Sequence, residues 1–499
     1  MTFATALAAM GARRDDPIAL AELAEVAQSE GEEQAALKVI SPVARRLNDP
    51  RLWQWAGLLH RGLDEHEGAL LAFANAAILA PNDASIAHGR ARITLEAGLD
   101  ARHLFDHALK LGPSADVILG RAAARFAMGE GEAAAAELAG ILDRNPLWTQ
   151  GHVQWAQLMS MIGKPQDAML TIDRALAKHA LEVSLWHAAI HILTASDRHA
   201  ECWARADAAI AATGDAAGFA LARSIALSDA GEVELAGAAF TGLGQPQNVA
   251  HAVGLARHLV RTKDWQGVAA LADRWMEGDH AHFFWPYASI AWRQTNDPRW
   301  QWLEGDERLI QVFDLSRKLP SLESLADRLR ALHARSGRFL DQSVRGGTQT
   351  DGPFFSRIDP EIRALRSAIV NVVEDYRTKL PPPDPTHPML RRPRGGPVRF
   401  SGSWSVRLNG AGFHSHHVHP QGWISSAFYV AVPDDLSGEE GWLSLGEPQS
   451  ELGTDLPPLR RVQPKPGQLV LFPSMMWHGT LPFPDGERMT VAFDDAPPR

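Results

Sequence analysis

Turn-forming residues recur at nearly constant intervals through the N-terminal part of the chain, and this periodicity constrains the fold more than any other feature. The turn-type positions are Gly62, Gly98, Gly129, Gly163, Asp197, Gly231 and Asp264. Their successive spacings are 36, 31, 34, 34, 34 and 33 residues. Prolines that follow apolar helical stretches, at 81, 113 and 146, repeat with spacings of 32 and 33. A period of about 34 residues predicts a solenoid of stacked helix pairs.

The residues around each turn are those that a pair of antiparallel helices needs. In one unit, Trp55 and Leu59 share a face of the first helix, Gly62 permits the turn, and Phe73 lies among small alanines on the second helix. These offsets resemble the tetratricopeptide repeat, and about seven or eight such units fit before residue 310. The resemblance implies a curved surface that holds a peptide or protein partner. A purely structural array, or one that forms a homo-oligomer, is the alternative.

The helical period is lost after residue 310, and a second architecture is predicted from there onward. Ser321 and Pro360 stand at the starts of predicted helices, of which the first ends at Gly337 and the second before Leu380. Short β-type segments then follow at 404–408, 424–432, 442–445, 468–472 and 489–493. Their density predicts an antiparallel barrel or sandwich.

Composition narrows the possible functions. The net charge of -10 argues against a general affinity for nucleic acid or anionic lipid. The single cysteine, Cys202, excludes an internal disulfide and a thiolate metal cluster, and its apolar surroundings predict a core position. No signal-peptide pattern is found, and no uncharged apolar stretch approaches the length of about 18 residues that a membrane span needs. We therefore expect a cytoplasmic protein that does not enter the membrane.

Four histidines fall within six positions of the β-type region, at 414, 416, 417 and 419. On a strand, residues i and i+2 face the same side, so His417 and His419 are expected to converge on one ion while Val418 packs on the opposite face. His478 offers a third nitrogen. Imidazoles suit a divalent metal such as iron(II), and three ligands on one face leave positions for a bidentate 2-oxo acid and for O2.

An arginine in an unusual setting accompanies the histidines. Arg488 follows His478 by ten residues, in a predicted strand that is otherwise apolar or hydroxylic. The distal carboxylate of a dicarboxylate cosubstrate must be paired when it leaves water, and a guanidinium pairs it through a planar fork. Thr490 lies on the same strand face and is placed to donate a second hydrogen bond. The pattern predicts a site for a dicarboxylate cosubstrate.

Three sequence blocks in this region resemble the 2-oxoglutarate- and iron(II)-dependent oxygenases of double-stranded β-helix fold, in the branch often found behind tetratricopeptide repeats. The blocks are 417–420 running into 423–430, 466–474 leading to residue 478, and 488–493. The resemblance implies that His417, His419 and His478 bind iron(II). It also implies that Arg488, assisted by Thr490, anchors 2-oxoglutarate.

The resemblance further implies that Tyr429 contacts the cosubstrate or lines the pocket. The expected fold is an α+β multidomain protein, with an N-terminal α-solenoid and a C-terminal double-stranded β-helix. The expected domains are the repeats at 1–310, a helical connector that begins the catalytic domain at 311–390, and the catalytic core at 391–499. The expected activity is a dioxygenase, a hydroxylase that uses Fe(II), 2-oxoglutarate and O2 on a peptide or protein substrate held by the repeats.

One departure from the wider superfamily concerns the third ligand, because the usual triad is two histidines and one carboxylate. His419 stands where an aspartate is expected, and three neutral ligands leave more positive charge on iron. The nearby carboxylates at 434, 435, 439 and 440 lie in a Gly-containing turn and are expected to be solvated. His414 and His416 are expected to contact the substrate or to support the ligands.

Several features have simpler interpretations. Trp423, Trp442 and Trp477 are expected to pack in the core. The segment 345–350 is expected to be a loop and the start of a strand, with a plain turn at 345–348 favoured over a contact with a carboxylate. A small-molecule substrate is the nearest variant of the hypothesis. Two alternatives belong to other classes: a non-catalytic repeat scaffold with a metal-binding β-domain, and a cupin-type enzyme with three histidine ligands.

Overall fold

The N-terminal part of the protein consists of successive α-helices. The computed structural model describes residues 2–11, 13–334, 337, 340, 342–350, 352–434 and 436–498. The helices of this region are α1 (Phe3–Met10), α2 (Pro17–Glu30), α3 (Glu33–Leu47), α4 (Pro50–Gly62), α5 (His66–Leu79), α6 (Ala84–Glu96), α7 (Arg102–Leu111), α8 (Ala115–Ala127), α9 (Gly131–Arg144), α10 (Thr149–Met161), α11 (Leu170–Lys178), α12 (Val183–Ala195), α13 (His199–Thr213), α14 (Ala216–Asp229), α15 (Val233–Leu243), α16 (Val249–Arg261), α17 (Trp265–Trp275), α18 (Trp285–Gln294) and α19 (Arg299–Glu304). Within the described residues, no helix has the length and apolar character needed to cross a bilayer.

Two units are distinguished by their internal packing. One comprises Met1–Ala134, Asp351–Ser367 and Arg499, and the other comprises Ala135–Thr350 and Ala368–Pro498. The later repeats and the β-rich region thus belong to one unit. The predicted domain boundaries at 310 and 390 divide the chain by its sequence pattern rather than by internal packing, and they stay predictions.

The repeat turns are marked by residues in the left-handed backbone region. These residues are Gly31, Asp64, Gly98, Gly129, Gly163, Asp197, Gly231, Lys263 and Asn296. They join nine helix pairs in the part of the chain that is described, from α2 and α3 to α18 and α19, where the sequence predicted seven or eight. The periodicity is confirmed. The predicted turn position was wrong for two residues. Gly62 is the last residue of α4, and Asp264 is the N-cap of α17, where its side chain accepts a hydrogen bond from the N–H of Gly267.

Aromatic rings in the first unit pack against glycines of neighbouring helices. The ring of Phe73 on α5 faces Gly57 of α4 and Gly89 of α6. A Cβ atom added at Gly89 would lie 2.3 Å from Cε1 of Phe73, far inside van der Waals contact. The close approach of these helices therefore depends on glycine as well as on the alanines that the sequence pattern emphasised.

We expect Gly89→Ala to destabilise the protein, although alanine is the better helix former. Displacing the buried Phe73 ring should cost about 1–3 kcal/mol, against a gain of roughly 1 kcal/mol at most from helix propensity. Gly140→Ala on α9 is the matched control, because its nearest neighbour, Arg144 Nη1, is 3.8 Å away. Urea unfolding followed by circular dichroism should show opposite shifts for the two variants. Equal shifts would contradict the packing argument.

The β-rich region forms a single antiparallel sheet of nine strands within the described residues. The strands are β1 (Gln311–Asp314), β2 (Val344–Gln349), β3 (Phe400–His417), β4 (Ile424–Ala431), β5 (Leu443–Leu445), β6 (Arg460–Val462), β7 (Gln468–Pro473), β8 (His478–Thr480) and β9 (Arg488–Asp495). Their order is β1-β7-β4-β9-β3-β8-β5-β6, with β2 paired to β3. This arrangement is the predicted double-stranded β-helix, and with the repeats it confirms the predicted fold class.

The five predicted β segments fall within β3, β4, β5, β7 and β9 or differ from them by one residue. The sequence missed β1, β6 and β8, because strands of three or four residues are too short to show an alternating pattern. Both predicted helices are present as α20 (Leu322–His333) and α21 (Pro360–Lys379). However, α20 ends at His333 rather than at Gly337. The ring of this last residue, His333, is buried. Its Nδ1 lies 2.9 Å from Thr348 Oγ1 and its Nε2 lies 3.0 Å from Ser405 Oγ, both within hydrogen-bond distance.

The last repeat helices share an apolar cluster with the sheet. Trp285 of α18 belongs to the same buried cluster as Leu452 and Trp477. The indole Nε1 of Trp477 donates to the carbonyl of Pro286 at 3.1 Å. Because Trp477 directly precedes the first residue of β8, the repeats help to set the position of that strand.

Candidate metal and cosubstrate site

Three histidines meet where β3 ends and β8 begins. His417, the last residue of β3, is the cross-strand partner of His478, the first residue of β8. Their ring centroids are 4.3 Å apart, and the ring of His419 lies 4.9 Å from His417 and 5.1 Å from His478. Each ring offers one nitrogen such that the three nitrogens lie within 4.8 Å of one another. The structure therefore brings together the three histidines that the sequence singled out.

The way in which His419 reaches this cluster differs from the prediction. It does not lie on a strand, because β3 ends at His417. Its backbone N–H donates to the carbonyl of Ser474 at 2.9 Å, and its own carbonyl accepts from Gly422 at 3.0 Å. A loop held by these two bonds, rather than strand alternation, turns the side chain toward the other two rings.

Hydrogen bonds at Nδ1 determine which nitrogen each ring presents. The Nδ1–H of His417 donates to the carbonyl of Ser415 at 2.8 Å, and that of His478 donates to the carbonyl of Met476 at 2.9 Å. The Nδ1 of His419 bonds to the carboxylate of Asp494. With Nδ1 as the donor, Nε2 of each ring carries the lone pair, as metal-binding histidines require. Nε2 of His417 also lies 3.4 Å from Ser343 Oγ.

The protonation of the rings also suits a metal. Burial lowers the pKa of His417 and of His478 well below the usual histidine value, and the neighbouring rings lower it further. Both imidazoles are therefore neutral near pH 7, with their lone pairs available. These two imidazoles and the ring of His419 place three nitrogen donors on one side of a cavity, and such a set fits a borderline divalent ion such as iron(II).

Strand β9 supplies one wall of the adjoining cavity, which has a volume of about 730 Å³. Arg488, Thr490, Ala492 and Asp494 all line it, as expected for alternate residues of one strand. Tyr429 of β4 is the cross-strand partner of Thr490. The Arg488 and Thr490 side chains that the sequence assigned to one cosubstrate site therefore face the same cavity as the histidines.

Arg488 is a buried cation that no carboxylate neutralises within the part of the chain that is described. Its side chain is only 1% exposed, and burial lowers its pKa. The guanidinium carbon lies 5.2 Å from the ring centre of Tyr429, which gives a cation–π contact, and Nε has no hydrogen-bond partner among the described atoms. A buried guanidinium whose Nε donor is free is suited to pair with a carboxylate brought by a ligand.

The other two histidines of the cluster have different surroundings. His414 lines the cavity, and burial, with a smaller contribution from Arg488, lowers its pKa to about 3. His416 is not among the lining residues, and its Nε2 lies 3.5 Å from the carboxylate of Glu447. Only His414 is placed to contact a ligand directly.

Several further expectations were tested. Arg345 lies in strand β2 rather than in a plain turn, because the chain there pairs with β3 through a bulge at Gly346. Trp423 and Trp477 are buried as predicted, whereas Trp442 is half-buried. The carboxylates at 434 and 439 are exposed and the one at 440 is half-buried, while position 435 lies outside the described residues.

Sequence reasoning missed Asp494, which bonds to His419, and Asp197 and Phe283, which line the cavity from the repeats. It also missed the buried ion pair between Arg377 and Asp495. The only signal in the sequence was a pair of adjacent aspartates at the end of an apolar strand, which is an unusual place for two carboxylates.

The fold and the site together define a double-stranded β-helix domain with a three-histidine cluster, which follows tetratricopeptide-type repeats. Residues 402–494 match the family model described as "Putative 2OG-Fe(II) oxygenase". The β-rich region is thus similar to that family over residues 402–494. No curated protein sequence matches the chain.

Solved structures with similar parts include both architectures. A tetratricopeptide repeat protein from Parabacteroides merdae is 15% identical, with a TM-score of 0.29, and the match covers 47% of this chain and 95% of that one. A Pseudomonas putida prolyl-4-hydroxylase is 17% identical, with a TM-score of 0.27 and coverage of 38% and 92%. Yeast Tom70 is 15% identical, with a TM-score of 0.35 and coverage of 55% and 61%.

Proposed function

We propose that the protein is an Fe(II)- and 2-oxoglutarate-dependent dioxygenase that hydroxylates a peptide or protein substrate. The observation that carries the proposal is the placement of a three-histidine cluster and an unneutralised buried arginine on the same cavity. His417, His419 and His478 would hold the iron through Nε2. When bound, iron and 2-oxoglutarate would supply an O2-dependent oxidation in which the cosubstrate becomes succinate and CO2, one oxygen atom enters succinate and the other is inserted into a C–H bond of the substrate.

The residues of this chain bind and orient the cosubstrate. Arg488 would pair with the distal carboxylate, which leaves water when it enters the cavity, and Thr490 would donate to the same group. Tyr429 supports the guanidinium from its ring face. Since the cavity is much larger than a five-carbon dicarboxylate, space is left beside the cosubstrate for part of a substrate.

The lining of the cavity supports a substrate that also touches the repeats. Asp197, in the turn between α12 and α13, and Phe283, between α17 and α18, both line it. Asp197 forms an ion pair of 2.7 Å with Arg345 of β2. A ligand that fills the cavity can therefore contact residues of the repeat array, and this favours a peptide or protein segment over a freely diffusing small molecule.

The test is an anaerobic titration of the whole protein with Fe(II) and 2-oxoglutarate, followed by visible absorption. We expect a weak charge-transfer band that needs both additions. His478→Ala should show no band, whereas His191→Ala, which changes an exposed histidine of α12, should show the wild-type band. If the wild type binds metal but shows no band, a cupin-type site is favoured. If it binds neither, the β-domain is non-catalytic.

The substrate is tested separately. His478→Ala serves as an inactive trap, and proteins retained on it are then incubated with the wild type, Fe(II), 2-oxoglutarate and O2. A retained protein should gain the mass of one oxygen atom with formation of succinate. Succinate formation with small metabolites, and no gain of oxygen on any retained protein, would contradict the peptide substrate and leave the oxygenase intact.

A further inference from the structure

Asp494 is a buried carboxylate whose charge is not compensated by any lysine or arginine in the part of the chain that is described. It lies on β9, lines the cavity and is 7% exposed. Among the described residues, the one titratable side chain in hydrogen-bond contact with it is the ring of His419, bonded to Oδ2. The next residue, Asp495, differs in this respect because it pairs with Arg377 at 2.7 Å. Burial of an uncompensated carboxylate is costly, so a positive charge supplied from elsewhere is expected.

The proposed metal centre has the opposite imbalance. Three neutral imidazoles bring no negative charge to a divalent ion, whereas the usual triad of two histidines and a carboxylate brings one. A histidine that donates its Nδ1–H to a carboxylate becomes a stronger donor at Nε2, because the hydrogen bond moves negative charge toward the ring. His419 is the ligand that stands at the carboxylate position, and it is the one bonded to Asp494.

We propose that Asp494 is a positioning residue that holds His419 with its proton on Nδ1 and, through that hydrogen bond, supplies the negative charge that the ligand triad lacks. This inference rests on the proposed function, since it concerns how the chain tunes the same metal. Asp494, which is 75 positions from His419 in sequence, would then provide the negative charge that a carboxylate ligand normally provides.

The surroundings hold both partners in this geometry. The second oxygen of Asp494, Oδ1, accepts from Ser425 Oγ at 2.5 Å, and Ser425 in turn contacts Ser474 Oγ at 3.0 Å. The ring of His419 stacks on Trp404, with centroids 5.4 Å apart and an interplanar angle of 22°. The carboxylate thus has one oxygen fixed by the sheet and the other directed at the ring.

The experiment compares Asp494→Asn, Asp494→Glu and a control, Asp375→Asn, which makes the same change of charge at an exposed residue of α21. Two quantities are measured anaerobically: the dissociation constant of Fe(II) by competition with a chelator, and the position of the Fe(II)–2-oxoglutarate absorption band. We expect Asp494→Asn to weaken Fe(II) binding by about 10- to 100-fold. The band should move to shorter wavelength, since a less electron-rich iron is a poorer donor in the charge-transfer transition.

Asp494→Glu separates charge from structure. It keeps the negative charge, so its band should stay near the wild-type position even where its affinity for Fe(II) falls. The inference is overturned if Asp494→Asn matches the wild type in both measurements, or if the glutamate variant shifts the band as far as the asparagine variant. If Asp494→Asn does not fold, the band of Asp494→Glu is compared with the wild-type band, and a clear shift between the two overturns the inference. Absence of a band in the wild type is a different result, because it removes the proposed function itself.

Discussion

Replacing Arg488 with methionine is expected to weaken 2-oxoglutarate binding strongly while making the ligand-free protein more stable. The side chain is 1% exposed and has no carboxylate partner among the described residues, so the apo protein carries an uncompensated charge in its interior. Methionine fills a similar volume without that charge, and the gain should be on the order of 1–4 kcal/mol. The cation–π contact with Tyr429 places the expected gain toward the lower end of that range.

The loss of cosubstrate binding follows from the same charge. Removing one partner of a buried, hydrogen-bonded charge pair costs about 2–5 kcal/mol, which is roughly a 30- to 4,000-fold rise in the dissociation constant. Calorimetric titration of 2-oxoglutarate into the Fe(II)-loaded protein measures the dissociation constant. Thermal unfolding of the apo protein measures the gain in stability.

Arg407→Met is the matched control, because Arg407 lies on β3, is 32% exposed and pairs with Glu487 outside the cavity. It should alter neither the affinity for 2-oxoglutarate nor, beyond about 1 kcal/mol, the stability. A fall in the apo unfolding temperature of Arg488→Met would show that Arg488 serves the fold. Unchanged affinity would remove it from the cosubstrate site.

Arg377→Ala is expected to cause the largest loss of stability. Arg377 of α21 donates to both oxygens of Asp495, with Nη2 2.9 Å from Oδ1 and 2.7 Å from Oδ2. The two side chains are 2% and 0% exposed, and the guanidinium carbon lies 5.1 Å from the ring centre of Trp423. Truncating the arginine leaves a buried carboxylate unpaired, which should cost about 3–5 kcal/mol.

The loss of stability in Arg377→Ala should depend on pH. Burial raises the pKa of Asp495 to about 6, and Arg377 opposes that rise. Without Arg377 the folded-state pKa rises further above the unfolded value, so the folded variant gains stability relative to its unfolded state as the pH falls and Asp495 takes up a proton. The difference from the wild type should therefore be larger at pH 8 than at pH 5.

Urea unfolding at these two pH values measures the effect. Lys379→Ala is the control, since Lys379 forms an exposed pair with Asp375 on the same helix and should contribute only about 0.3–0.5 kcal/mol. A loss for Arg377→Ala that is as small as the control, or that does not change with pH, would show that Asp495 is not left as a buried charge.

Much of this protein could be predicted from short-range sequence patterns. The repeat period and the β segments that contain Trp404, Phe428 and Val470 are local, since helix pairs and strands are written as spacings of a few residues. The histidines at 417 and 478 and the arginine at 488 were recognisable for a related reason. A metal ligand and an anion anchor need particular side chains, and few other residue types replace them.

What the sequence by itself determined is therefore the list of elements and the chemical groups of the site. The tertiary structure decided which groups meet. Only the packed sheet brings Asp494 to His419, and only the shared core of the late repeats and the sheet places Phe283 on the wall of the cavity. These contacts join residues far apart in the chain, so no local period signals them. They depend on strand register and on helix packing against the sheet, which the whole fold determines together.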